Sequence, residues 1–201
     1  MITAWFEPFN ASIGGTIVAN DDPTVIDTGF DLYYASGGTS ISGCVSGSPN
    51  GGCATINLAS YHAAIASNNL YFTALEYNST SHDLTLALYE QNGTALFATA
   101  TGLLNVNIAN GRYPLSIGFN PYSNGNYFVG TISDLRFYTT PSATIAGYLD
   151  ASGPTSTNYA PDSLWLGLSG SFADQLGSGL TAVPVLSSSW QENLVTFVAE
   201  P

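Results

Sequence analysis

The chain has 201 residues, 45% hydrophobic and 12% aromatic, enough to bury one good core. Only 8% are charged, against ~25% in an average domain, and the net charge is −12. Arg112 and Arg136 are the only basic residues, which excludes a basic patch for nucleic acid or an anionic membrane. No apolar run approaches the ~18 residues of a membrane-spanning helix, so no membrane insertion is expected.

Solubility must come from Ser, Thr, Asn, Gly and Tyr. A hydroxyl- and amide-rich surface suits a protein outside the cell, on a cell surface or on a virion. Met1 runs straight into strand-like sequence, so no leader is read, and the chain is taken as a mature or excised piece. Cys44 and Cys53 are the only cysteines, and the eight residues between them, VSGSPNGG, are all turn chemistry. They are expected to form a disulfide that ties off a surface hairpin or Ω-type loop, worth roughly 2–3 kcal/mol in chain entropy. That pairing favours an oxidising compartment. Asn10, Asn78 and Asn92 each open an N-x-S/T sequon and are candidate glycosylation sites.

In chain order, residues 2–9 (ITAWFEPF) alternate as a strand ending at Pro8, followed by strands at 15–20 and 29–34. Residues 35–57 are rich in Gly and Ser and read as an extended, decorated loop around the cystine. Residues 60–67 read as one helical turn or a strand edge. Residues 68–77 (NNLYFTALEY) form a strand with Leu70, Phe72 and Ala74 on one face and Tyr71, Thr73, Leu75 and Tyr77 on the other. Residues 83–91 alternate cleanly, with Leu84, Leu86 and Leu88 on one face; Asn92-Gly93 is a hairpin signal, and 94–101 return. A further strand covers 113–119. Residues 131–138 (TISDLRFY) form the last strand before a turn and an expected short helix at 142–149. Asp134 and Arg136, two apart, share a strand face and are read as a structural ion pair. Residues 151–161 form a linker of small and polar residues.

Several of these stretches carry a family pattern. FVGTISDLRFY (128–138) is similar to F-x-G-x-I-D-D-V-R-I-Y, the closing strand of laminin-G-like and concanavalin-A-like jelly rolls. ITAWFEP resembles the family's F-T-I-S-A-W-V-K-P strand, although Glu7 stands where the family often has Lys. GFDLYY, NNLYFTALEY and YPLSIGF resemble further family strands. Residues 164–168, 174–179 and 194–198 resemble strands that open such a domain, so the pattern runs in rotated order. The resemblance implies an all-β fold, a two-sheet antiparallel β-sandwich jelly roll, with residues 1–150 as its main part and 162–201 as completing strands. Three explanations of the rotation stand: circular permutation, completion of a neighbouring subunit by 162–201, or a tandem array cut out of register. The family hosts binders, adhesins, capsid parts and glycosidases, so the fold alone does not select a function.

Glu7, Glu76, Glu90, Glu192 and Glu200 are isolated in sequence, with no E-x-D-x-E for a glycosidase carboxylate pair. His62 and His82 have no G-x-S-x-G serine to serve. No enzyme is expected. Asp21, Asp22 and Asp27 share a loop whose oxygens would suit calcium, the one cofactor considered; the alternative is a solvated acidic turn. Tyr122, Asn124 and Asn126, in the amide-rich loop 120–126, are the candidate sugar contacts. The expected function is a recognition or adhesion module for a glycan or cell-surface polymer. The alternative is a structural subunit that assembles with neighbouring copies of itself.

Overall fold

The computed structural model describes residues 1–20, 29–46, 51–90, 95–104, 106, 115–120, 127–139, 145, 164–166, 182–187 and 191–197. Thirteen strands appear among them. The first seven are β1 (Ile2–Pro8), β2 (Gly15–Ala19), β3 (Phe30–Tyr34), β4 (Ser40–Val45), β5 (Gly52–Asn57), β6 (Tyr71–Asn78) and β7 (Asp83–Glu90). The rest are β8 (Leu96–Ala100), β9 (Ser116–Ile117), β10 (Gly130–Phe137), β11 (Leu164–Leu166), β12 (Ala182–Ser187) and β13 (Gln191–Phe197). There is no α-helix among the described residues; 3₁₀ turns lie at Ser36–Gly38 and Leu58–Tyr61, and Ile145 is also in 3₁₀ conformation. The fold is all-β, two antiparallel sheets in a β-sandwich. One sheet runs β11-β10-β1-β6-β7-β8 and the other β12-β13-β9-β2-β3-β4-β5.

Period-two alternation explains how the sheets face each other. In β7, Leu84, Leu86 and Leu88 enter the main core while Ala87 and Tyr89 join a second cluster. In β6, Tyr71 and Leu75 go inward, and Phe72 and Ala74 go outward. From the other sheet, β3 presents Phe30, Leu32 and Tyr34 to the main core. The first strand, β1, is central in its sheet, between β10 and β6, and both its faces are covered. Phe6 points into the main core, and Trp5, only 3% exposed, belongs to the outer cluster. Ile145 packs into that outer cluster too. An aromatic ladder crosses it from Trp5 to Phe72 (5.3 Å between centroids), Tyr89 (6.1 Å) and Phe97 (5.9 Å).

The largest departure from the sequence reading is at residues 35–57. They do not form an extended loop: β4 and β5 are an antiparallel ladder of six pairs, from Ser40↔Asn57 to Val45↔Gly52. Ile41, Val45, Ala54 and Ile56 face the core. The signal was faint because the outward positions are Ser, Thr and Cys, and one inward position is Gly43. A Cβ at Gly43 would run into Leu75 Cδ1 of the opposite sheet, so the missing side chain is what lets the sheets approach there. Cys44 and Cys53 are direct cross-strand partners, disulfide-bonded with Cα atoms 4.0 Å apart. The cystine thus clips a hairpin at the edge of the sandwich.

The C-terminal strands pair within their own chain. β11 joins β10 through Leu135↔Leu166 to Phe137↔Leu164, and β13 joins β9 through Val195↔Ile117 and Thr196↔Ser116. The expected helix at 142–149 lies outside the described residues except for Ile145, and the linker 151–161 lies outside them entirely.

Tyr34 is the most perturbed group of the core. Its ring stacks on Phe6 at 6.2 Å and meets Phe128 edge-on at 6.0 Å. Its hydroxyl is buried and finds no hydrogen-bond partner among the described residues. Burial pushes its pKa up from 10.0 to about 12. The folded state therefore holds this proton when the unfolded chain has already lost it. Stability is unaffected below pH 10.0 and falls between pH 10.0 and about 12, by about 2–3 kcal/mol. Tyr34→Phe removes an unsatisfied hydroxyl. It is expected to gain about 1 kcal/mol at neutral pH and to flatten the alkaline limb in urea titrations. A variant that keeps the wild-type alkaline limb would assign that limb to other tyrosines.

Candidate functional site

Where β1 ends, β6 begins and β7 ends, five of the described residues line a cleft of about 390 Å³: Glu7, Asn68, Asn69, Leu70 and Glu90. The segment before β6 is tied to the end of β1. Asn68 N–H donates to the Pro8 carbonyl (2.7 Å), and Ser67 Oγ accepts from Ala11 N–H (3.0 Å). Asn68 takes a left-handed backbone, φ 62°, which asparagine tolerates and which turns the chain into β6. Tyr71 Oη accepts from Ala66 N–H at 2.8 Å and anchors the same segment from below. Burial raises the Tyr71 hydroxyl above its ordinary pKa, and the neighbouring Glu90 charge pushes the same way.

Within the cleft, Asn69 Nδ2 donates to Glu90 Oε1 at 2.9 Å, which orients that carboxylate. Glu7 is half-buried, Asn68, Asn69 and Glu90 are exposed, and Leu70 is a half-buried apolar patch. The donor set is two carboxylates that accept and two amides that both donate and accept. Such a set can hold hydroxyl groups. Among the described residues it contains no cation, which disfavours a phosphate, sulfate or carboxylate ligand. Among the described residues no group of three or more His, Cys, Asp and Glu is placed to hold a metal ion.

Sequence reasoning did not find this cleft. Glu7 and Glu90 are isolated along the chain, and only the pairing of β1 and β7 on either side of β6 brings them to one cleft. The one available signal was Glu7 itself, standing where the resembled strand often has Lys. The candidate sugar contacts Tyr122, Asn124 and Asn126 lie outside the described residues, as do the calcium candidates Asp21, Asp22 and Asp27 and the sequon Asn92. Asn120, at the start of that amide-rich loop, is buried and donates through Nδ2 to Asp31 Oδ2 at 3.1 Å. It therefore packs against the sheet instead of facing a ligand.

Asn10 and Asn78 are exposed. Asn10 Oδ1 accepts from Ser12 N–H at 3.1 Å, and Asn78 Oδ1 accepts from Thr80 N–H at 2.9 Å, so both sequons sit in Asx turns at strand ends. His62 is exposed, and His82 Nδ1 lies 3.3 Å from Tyr77 Oη, which donates to the Leu103 carbonyl at 2.8 Å.

Asp134 and Arg136 form a buried bidentate pair. Arg136 Nε donates to Oδ1 at 2.8 Å and Nη2 reaches Oδ2 at 2.6 Å, with both side chains under a tenth exposed. They do not meet across a regular strand face as their spacing suggested. Thr3 faces Arg136 and Trp5 faces Ser133, so one residue of β1, Ala4, opposes two of β10, Asp134 and Leu135. Asp134, at φ 51°, is the left-handed residue of this bulge. The bulge turns its carboxylate onto the guanidinium.

No helix of the described residues is long and apolar enough to cross a membrane. No protein-family model matches the chain, and no curated protein sequence matches it.

Proposed function

We propose that this chain is a non-enzymatic recognition or adhesion module of laminin-G-like or concanavalin-A-like type, working outside the cell, on a cell surface or on a virion. Its ligand is a neutral carbohydrate held in the Glu7–Asn69–Glu90 cleft. The observation that carries this reading is the Asn69-oriented Glu90 carboxylate beside Glu7 in a polar cleft with no cation among its described residues. Hydroxyl groups would donate to the carboxylates and accept from the amides, and Leu70 offers an apolar contact for ring carbons. The net charge of −12 disfavours sulfated, phosphorylated or sialylated glycans. The Cys44–Cys53 disulfide is compatible with an oxidising, extracellular setting.

Calorimetric titration with a panel of neutral and anionic oligosaccharides tests this. A neutral sugar is expected to bind, with at least tenfold loss in Glu90→Ala and little change on replacing Asn10. Binding restricted to anionic sugars, or undiminished in Glu90→Ala, sinks the assignment. Release of reducing sugar by the wild type would overturn the non-enzymatic part. The assembly alternative needs β13 to leave β9 for a neighbouring copy. Light scattering over a dilution series decides it: a persistent monomer of 21.0 kDa rules it out.

A further inference from the structure

Strand β5 is the last of its sheet, with no strand beyond it among the described residues. Two observations fix which way its backbone groups point. Cys44 and Cys53 face each other with Cα atoms 4.0 Å apart, the close spacing of a pair that exchanges no backbone hydrogen bonds. Just past the strand, Leu58 N–H donates to the Thr39 carbonyl at 2.9 Å. Even-numbered positions therefore bond to β4, and Cys53 and Thr55 turn N–H and C=O to the open side. Both residues are exposed. Native sheet edges are commonly blunted by charge, proline, a bulge or shortness. The edges at the far end of the two sheets have such devices: β11 is three residues long, and β12 carries Pro184 and a register shift between Val185 and Ser187. In β5 all of them are missing. Its ladder with β4 runs without a shift, and no Asp, Glu, Lys or Arg occurs from residue 32 to residue 75. The neighbouring edge β8, which packs against β5 from the other sheet, is uncharged too.

We propose that β5 is a docking edge for a second copy of this chain, β5 against β5 in antiparallel register about a two-fold axis, with Thr55 opposite its own counterpart. Charge selects this occupant. At a net charge of −12 two copies repel, and a contact free of carboxylates brings them together without opposing like charges. The partner must also bring outward N–H and C=O groups at the same spacing, and β5 itself has them. Two-fold pairing uses up both edges, so assembly closes at a dimer. The edge of one six-residue strand is a small interface, and a dissociation constant of about 10–1000 μM is expected.

The proposal is independent of the carbohydrate reading, since the polar cleft is built on β1, β6 and β7 of the other sheet. It is tested by sedimentation equilibrium on the full chain, from about 1 μM to about 2 mM. The wild type is expected to pass from monomer to dimer and to form nothing larger. Thr55→Pro deletes an N–H that points away from β4, and Thr55→Glu sets two carboxylates opposite each other. Each is expected to weaken dimerisation at least tenfold while circular dichroism stays that of the wild type. Thr55→Lys is expected to act as Thr55→Glu does, and an equimolar mixture of these two variants is expected to dimerise again. Glu90→Ala is expected to dimerise as the wild type does. A wild type that stays monomeric to about 2 mM overturns the proposal. So does a dimer that the folded Thr55→Glu and Thr55→Lys variants both retain, since exchange of β13 or another surface would then hold it. A mixture of those two variants that stays monomeric overturns the pairing of β5 with β5, and species larger than a dimer overturn the two-fold closure.

Discussion

Arg136→Ala is expected to lose about 3–5 kcal/mol of folding stability, because it removes the two-pronged cationic partner of a buried carboxylate. The guanidinium makes both of the close contacts described for that carboxylate, at 2.8 and 2.6 Å, in a site where both side chains are under a tenth exposed. For a chain of this length such a loss corresponds to a melting temperature lower by about 6–20 °C. Arg136→Lys should rescue only partly, since an ammonium cannot reproduce the two-pronged contact. The double variant Asp134→Asn with Arg136→Met should recover most of the stability, because no charge is then left uncompensated. Asparagine also tolerates the left-handed backbone at position 134. Guanidinium titrations of the three variants measure this. A single-variant loss below about 1 kcal/mol would mean that water reaches the pair.

Phe6→Ala is expected to cost about 3–5 kcal/mol, by lost transfer energy and the cavity left behind. Phe6 is fully buried in the central strand of its sheet. Its ring stacks on Tyr71 at 5.4 Å and Tyr34 at 6.2 Å and meets Phe128 at 6.2 Å. It joins residues of β1, β3 and β6, so the neighbours cannot collapse into the gap without shifting both sheets. Phe6→Leu, which keeps most of the volume, should cost under about 1.5 kcal/mol. Equal losses for Ala and Leu would show that ring stacking, not volume, sets the cost. An Ala loss below about 1.5 kcal/mol would show that the core closes around the hole.

The strands legible in the sequence are those whose alternation is strong and local. Leu84, Leu86 and Leu88 in β7 and Tyr71 and Leu75 in β6 could be assigned to one face from the chain alone. The β4–β5 hairpin was not legible, because Gly43 and the outward Ser, Thr and Cys residues carry little hydrophobic contrast. Its inward Ile41 and Ile56 make sense only once Leu75 is seen filling the space above Gly43. The Asp134–Arg136 pair was legible as a pair and not as a bulge, since the extra residue is defined by its partner strand β1. The polar cleft was illegible for the same reason: Glu7 and Glu90 meet through two strand pairings, β1 with β6 and β6 with β7.

By itself the sequence determined the β class, the acidic surface and the cystine partners. These follow from composition and from spacings within a few residues. Only the tertiary structure decided which strands are neighbours, that β1 sits buried in the middle of its sheet, and that Trp5 and Phe72 lie under a cover that includes Ile145. It also decided that one end of the sandwich gathers carboxylates and amides. Side-chain alternation is a property of one strand, whereas strand order and sheet separation are set by contacts between residues far apart along the chain. The polar cleft is made by those contacts.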